Sequence, residues 1–390
     1  MQDKFLFYLV AAIAILSTLS AYSLSTYITL HFGYSQFHFF IRQLISVAVA
    51  LFLLWFLAAK FPVQHATKFG IGLFIFFFIL MIVMIFMPPS LVTAVGGAKR
   101  WIKLPGFSLA PVEFFKIGFI FFLAWSFSRK FQEEGKTDLK RELLSILPYV
   151  FLFLIAALSI AIFQNDIGQV MVLGLTFSFM LFFAGRSFKL FSILIGVAIT
   201  LFIVFVSISE NRIARIKMWW ASAQKIILSY LPPSLAQELK IDNVKESYQI
   251  VNSLHAIHNG GFLGQGLGNG EIKLGFLSDV HTDFVLAGLT EELGFIGIAL
   301  IITLYILLMH RLFKVANRTS DRTTYLFSVG IASLIGFSLL INSFGISSLI
   351  PIKGLAVPLL SYGGSSMLAN ALGIGLVLLL AKRAAMQERA

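Results

Sequence analysis

Apolar runs of about 20 residues, each ended by a short polar stretch, recur along the whole chain. They predict ten membrane-spanning helices, at about 5–27, 38–59, 69–88, 109–128, 145–164, 167–185, 188–208, 283–309, 323–346 and 363–381. A tight polar turn at 164–166 is all that parts the fifth from the sixth. The long piece at about 209–282, between helices 7 and 8, is the only large non-spanning segment. The expected fold class is an all-α polytopic membrane protein of about ten transmembrane helices, with one large extracytoplasmic loop and a single domain over residues 1–390. Barrel strands would alternate over about 10 residues and do not fit such unbroken runs. The first run, from Phe5 to about Ser25, is too long for a signal-peptide core and lacks a convincing cleavage site. It reads as a retained helix.

Charge orients these spans. With the N-terminus inside, the cytoplasmic segments hold 17 of the 30 basic residues, which the positive-inside rule favours. Both termini are then cytoplasmic. The other basic residues include Lys99, Arg100 and Lys103 in one outer loop, seven between Arg212 and Lys273, and Lys353 in the last outer loop. Two explanations stand. Long loops translocate regardless of charge, or the outer face binds an anion near the headgroups. The net charge of +12 fits either.

Within the outer segment, RIARIKMWWASAQKIILSY (212–230) sets Ile213, Ile216, Trp220 and Ile227 on one helical stripe flanked by Arg212, Arg215 and Lys217. It predicts an interfacial helix. With 58% hydrophobic and 12% charged residues the chain is far from soluble composition. Cysteine is absent, which removes disulfides, thiolate metal sites and a Cys nucleophile.

The segment SDVHTDFVLAGLTEELGF (278–295) carries the densest candidate chemistry. Asp283 at the mouth of the eighth span is either a helix N-cap or a carboxylate facing a cavity and able to accept a proton. Glu291 and Glu292 lie about 12 Å deeper at 1.5 Å per residue. On a straight helix they cannot share one site with Asp283, and at that depth they need protein or water partners. At least one is expected to be a structural ion-pair residue. Glu113 and Lys116 lie one turn apart at the start of the fourth span. They form an internal pair or a network reaching the eighth span.

The run GGFLGQGLGNG (260–270) lacks the Gly-Lys-Ser/Thr ending of a P-loop and the strand–helix setting, which argues against nucleotide binding. Glycines this dense suit close backbone packing or a re-entrant turn. His255 and His258 are spaced like metal ligands but lack a third. Nothing points to nucleic acid.

Six blocks in order then resemble the SEDS family (shape, elongation, division and sporulation), and within it the FtsW branch. They are GGAKRWIKL (96–104), PVEFFK (111–116), QNDIGQ (164–169), SYQIVNSLHAIHNGGFLGQGLG (247–268), FLSDVHTDFVLAGLTEELGFIG (276–297) and IPIKGLAVPLLSYGGSS (350–366). The resemblance implies a ten-helix peptidoglycan glycosyltransferase of the bacterial cytoplasmic membrane. It would polymerise lipid II on the outer face at the division septum, with a class B penicillin-binding protein and divisome activators. It puts the essential acid of the HTDF motif on Asp283. It puts the lysine of the KGL motif on Lys353, and the candidate substrate-binding set is Lys99, Arg100, Trp101, Arg215, Asp279, His281, Thr282, Lys353, Ser361 and Tyr362. Four blocks depart from the family pattern: Ile350 stands for Leu, Leu277-Ser278-Asp279 for Leu-Pro-Glu, and two others read Ala110-Pro111-Val112-Glu113 and Gln164-Asn165-Asp166-Ile167-Gly168, the last two keeping their acids.

Such a reaction needs a lateral groove for a polyprenyl tail among membrane lipids, cations for a diphosphate, and a base for a sugar hydroxyl. Asp283 would be that base, or would hold a divalent cation such as magnesium or manganese. A lipid II flippase, a RodA-type elongation polymerase and a recruiting scaffold are the alternatives.

Overall fold

The computed structural model describes residues 3–95, 98–131, 138–242, 244–351 and 354–388. Its helices are α1 (Lys4–Leu24), α2 (Thr26–His31), α3 (His38–Ala59), α4 (Ala66–Phe86), α5 (Pro111–Lys130), α6 (Leu139–Leu158), α7 (Ile167–Phe183), α8 (Phe188–Ser207), α9 (Glu210–Ile227), α10 (Pro233–Leu239), α11 (Tyr248–Gly260), α12 (Val285–Asn317), α13 (Arg322–Ile346) and α14 (Gly364–Gln387). Among the described residues nine are long and apolar enough to cross a membrane, and α7 is a shorter apolar helix. These ten match the expected spans.

The centre of the bundle is α5, α13 and α14, which are buried along most of their length, while α8 turns almost all of its apolar surface outward. A lipid-facing helix needs no polar stripe, and α8 has none. Aromatic stacking locks α4 onto α5 through Phe74–Phe122 and Phe77–Phe114, each with ring centres 4.8 Å apart.

The two ends of the bundle differ. At one, Arg311 meets Asp3 at 3.4 Å, Ser320 bonds Glu388 at 2.6 Å, and Arg383 bonds Thr67 at 2.7 Å. Both ends of the described chain therefore lie together. At the other end sit 89–95, 98–110, 164–166, 208–242, 244–284, 347–351 and 354–363, tied by cross-bonds such as Trp219 to the Ser348 carbonyl (2.9 Å). The expected helix at 212–230 is α9, and its Trp219 and Trp220 indoles are anchored on the Ser348 and Leu239 carbonyls.

Two features depart from the expectation. The stretch before α5 is a three-stranded antiparallel sheet, β1 (Val92–Val95), β2 (Ala98–Leu104) and β3 (Phe107–Leu109), where the hydropathy pattern predicts a loop. The eighth span starts at Val285, beyond Asp283, and is broken rather than straight, because Gly294 adopts φ 66°, ψ −169°. In an unbroken helix the carbonyls of Glu291 and Glu292 would serve Phe295 and Ile296. Here they accept from Gln265 and Gly266 (2.9 Å each), while Phe295 and Ile296 donate to Gly261 (3.0 Å) and Phe262 (3.3 Å). The glycine-rich loop thus enters the gap and satisfies backbone that lipid could not. A Cβ on Gly264 would stand 2.3 Å from the Glu292 carbonyl oxygen, so only glycine permits the approach.

Candidate active site

Asp283 sits in a turn over residues 279–284. The Asp279 carbonyl receives the amides of Thr282 and Asp283 (3.0 Å each) and of Phe284 (3.3 Å), and Asp279 itself takes φ 54°. The N-cap of α12 is Phe284, with no side-chain cap bond. Asp283 is therefore not a cap, and its carboxylate is not engaged by the helix. It remains partly exposed. Its surroundings push its pKa up to about 7, first through desolvation, then through the charges of Asp279 and Asp166, with Arg100 opposing. One carboxylate oxygen lies against Gly354 of the KGL block, where a Cβ would be 2.6 Å away.

Side chains from distant helices fix this turn. Asn342 of α13 donates to the Asp283 and Leu355 carbonyls, 2.7 Å each, joining the turn to the loop at 355–363. Ser361 donates to the Thr282 carbonyl (2.6 Å) and accepts from the Val357 amide (2.8 Å). Tyr362 donates its amide to the His281 carbonyl at 2.9 Å. Gln43, buried in α3, reaches the same loop through the Ser361 carbonyl (3.4 Å) and the Gly363 amide (3.2 Å). The Arg42 guanidinium, one residue before it in the chain, opposes the burial that raises the Tyr362 pKa. The Tyr305 hydroxyl donates to the Pro358 carbonyl.

Ser361 therefore joins two loops from a buried place, its hydroxyl bonded to backbone of both. His281 is also buried, in contact with the Phe39 and Tyr362 rings. Burial holds the imidazole neutral, its pKa pushed down to about 4 against the pull of Asp279, and its Nδ1 has no hydrogen-bond partner among the described residues. The Thr282 hydroxyl donates within its own turn, to the Asp279 carbonyl (3.1 Å). Asp279 is exposed beside it.

The sheet brings Arg100 to the site. Thr93 pairs with Trp101 and Ala94 with Lys99, so Arg100 is the extra residue of a bulge, a device that re-aims a side chain. Its guanidinium donates to the carbonyls of Gln164 (2.7 Å) and Asn165 (2.9 Å) and stands 3.9 Å from the Asp166 carboxylate. It also lies 5.9 Å from the Trp101 ring centre. Lys99, expected to bind substrate, donates instead to the Ile85 (2.7 Å) and Met87 (3.2 Å) carbonyls at the end of α4. Arg215 is exposed on α9. Lys353 lies outside the described residues.

The buried acids have internal partners. Lys116 contacts Glu113 at 3.0 Å and donates to Gln169 at 2.6 Å, and Gln169 donates to Glu113 at 2.9 Å. This is a closed triad between α5 and α7, not a network to α12. Glu292 pairs with Lys273 at 2.6 Å and accepts from Ser23 of α1. Lys273 is thus buried and neutralised, not an outer cation open to anions. Glu291 accepts the amides of Glu271 (3.1 Å) and Ile272 (3.2 Å). Among the described residues no group of three or more His, Asp or Glu is placed to hold a metal.

A family model described as cell cycle protein, covering FtsW, RodA and SpoVE, matches residues 3–386. The chain belongs to the FtsW/RodA/SpoVE family. It is 47% identical over 381 residues to the probable peptidoglycan glycosyltransferase FtsW of Helicobacter pylori J99, covering 97% of this chain and 98% of that protein. It is 34% identical over 355 residues to the protein of the same name from Coxiella burnetii, covering 90% and 88%. Its fold matches a chain of a peptidoglycan synthase complex with TM-score 0.71 at 24% identity, and Thermus thermophilus RodA with TM-score 0.63 at 23%. The first match covers 98% of both chains, the second 98% of this chain and 97% of the other.

Sequence reasoning missed Arg42, Gln43, Asp166, Gln169 and Asn342 as members of the site and its supports. A signal existed for two of them: Gln43 and Asn342 are amides inside otherwise apolar spans, where an unpaired polar group is costly.

Proposed function

We propose that this chain is a peptidoglycan glycosyltransferase that polymerises lipid II on the outer face of the bacterial cytoplasmic membrane during septal cell division. Both termini are then cytoplasmic, and the end of the bundle carrying Asp283 faces outward. The observation that carries the reading is Asp283 itself. It is a partly exposed carboxylate, uncapped and not hydrogen-bonded to the helix it precedes, at the end of the bundle opposite the chain termini.

An acceptor 4-hydroxyl placed against Asp283 loses its proton to the carboxylate as its oxygen attacks the donor anomeric carbon. The bond from that carbon to the diphosphate breaks with inversion. A pKa near 7 suits a general base, whose contribution is typically about 10²–10⁴-fold. Negative charge on the departing diphosphate is met by Arg100, with Arg215 and Lys353 as further candidate cations. A class B penicillin-binding protein and divisome activators are the expected partners, and the bilayer supplies the surroundings of the polyprenyl tail.

The purified protein with its cognate synthase partner, given lipid II in vesicles, should yield glycan chains. Transbilayer movement of lipid II without glycan would contradict the reading and favour a flippase.

A further inference from the structure

Asp166 has two different neighbours for its two carboxylate oxygens. Oδ1 accepts the Gln169 amide at 3.2 Å and so caps α7. Oδ2 faces Arg100 at 3.9 Å. Just before it, Asn165 adopts φ 48°, a left-handed conformation that a non-glycine residue takes at a cost. That kink brings the carbonyls of both Gln164 and Asn165 onto the same guanidinium, which the strand bulge has delivered from the other side. An N-cap alone needs neither the strained residue nor the arginine.

We propose that Asp166 is a positioning residue for the glycosyl-transfer site. With the two carbonyls before it, it anchors Arg100 and so fixes where positive charge stands relative to Asp283. This rests on Asp283 being the general base.

The base then titrates within a cluster of two aspartates and one arginine. Its charged neighbours are Asp279 on its own turn, Asp166 and Arg100. The neutral His281 lies on the same turn, and Lys353, the chain neighbour of Gly354, is outside the described residues. Asp166 in turn faces Arg100, Lys116 and Glu113. Removing the Asp166 charge removes a repulsion on ionised Asp283 and frees Arg100 to approach it. Both effects favour the carboxylate, so they act in the same direction. Removing the Arg100 charge acts in the opposite one.

The test is the pH dependence of kcat/KM for lipid II polymerisation by the complex with its synthase partner, which reports free-enzyme ionisations. Asp166→Asn, which keeps an N-cap acceptor, should move the ascending limb to lower pH by about half a unit, about a threefold gain on its acidic side. Asp166→Ser, also a good cap, should do the same. Arg100→Gln should move the limb to higher pH. An unmoved midpoint in both Asp166 variants, whatever their plateau or melting temperature, would overturn the proposal and leave Asp166 a helix cap. Asp283→Asn separates the two claims. If it is inactive at every pH while the Asp166 limb stays fixed, only this inference fails; if it is active, the general-base reading fails first.

Discussion

Replacing Gly354 by alanine isolates the placement of Asp283 from the stability of the fold. The added methyl would lie 2.6 Å from Asp283 Oδ2, about 0.8 Å inside ordinary contact distance. The atom it meets is the end of a rotatable side chain, not backbone. The carboxylate can therefore swing aside, and folding should change by less than about 1 kcal/mol. Catalysis should suffer more. A displacement approaching 1 Å of a reacting group costs on the order of 10²-fold, so the turnover number should fall about 10- to 100-fold. The assay is lipid II polymerisation by the complex, beside a thermal melt and a lipid II binding measurement. Gly72→Ala, whose methyl would meet nothing within 4 Å, is the control. Unchanged turnover in Gly354→Ala, or a fall matched by loss of folded protein, would refute the reasoning.

Other expectations follow from the same geometry. Lys273→Met strands Glu292 without its counter-charge in a buried site, which should destabilise the protein by about 3–5 kcal/mol, and adding Glu292→Gln should recover much of the loss in a detergent melt. Gly294→Ala should prevent recovery of folded protein in size-exclusion chromatography, since its methyl would meet the Gly264 backbone nitrogen at 2.3 Å and its φ of 66° disfavours any side chain. For pH, a base whose pKa is raised to about 7 is active only when deprotonated, so polymerisation should rise through about pH 7, and a limb near pH 4 would contradict the burial argument. The same shift costs stability as pH rises from the unfolded value of 3.8 to about 7, so Asp283→Asn should melt above wild type at pH 8 but not at pH 3.5.

The ten helices were legible because a bilayer demands long apolar runs and nothing else in the chain supplies them. Helix α9 was legible for a related reason, its isoleucines and Trp220 forming one stripe flanked by basic residues. The sheet was not. The bulge at Arg100 breaks the alternation of β2, and β1 is only four residues long. The break in α12 was hidden as well, since Gly294 sits in an apolar run and the amides that repair it come from the glycine loop about thirty residues earlier. Position alone left Asp283 between a helix cap and a base, the HTDF resemblance marked it as the essential acid, and its surroundings could not be read. Arg100 and Asp166 are far apart in the chain, and nothing local to either shows that they meet. The same distance effect made Lys99 and Lys273 look like free cations, when one closes a helix end and the other a buried ion pair.

Among the described residues the four non-glycine residues with positive φ, Asn165, Asp279, Ser348 and Leu359, all lie at the Asp283 end of the bundle. Each is held by surroundings that over-determine it: Asn165 by Arg100, Asp279 by three amides, Ser348 by Trp219, and Leu359 within the loop fixed by Gln43, Asn342 and Ser361. Strain gathered at one end of an otherwise regular bundle is what pre-organisation of a reaction site requires.

The most direct measurement is glycan formation from lipid II by the Asp283→Asn variant, purified in complex with its synthase partner and shown by melting and binding to be intact. The account predicts a loss of at least about 10²-fold at every pH from 5 to 9, with lipid II still bound. Glycan chains made at the wild-type rate would contradict it.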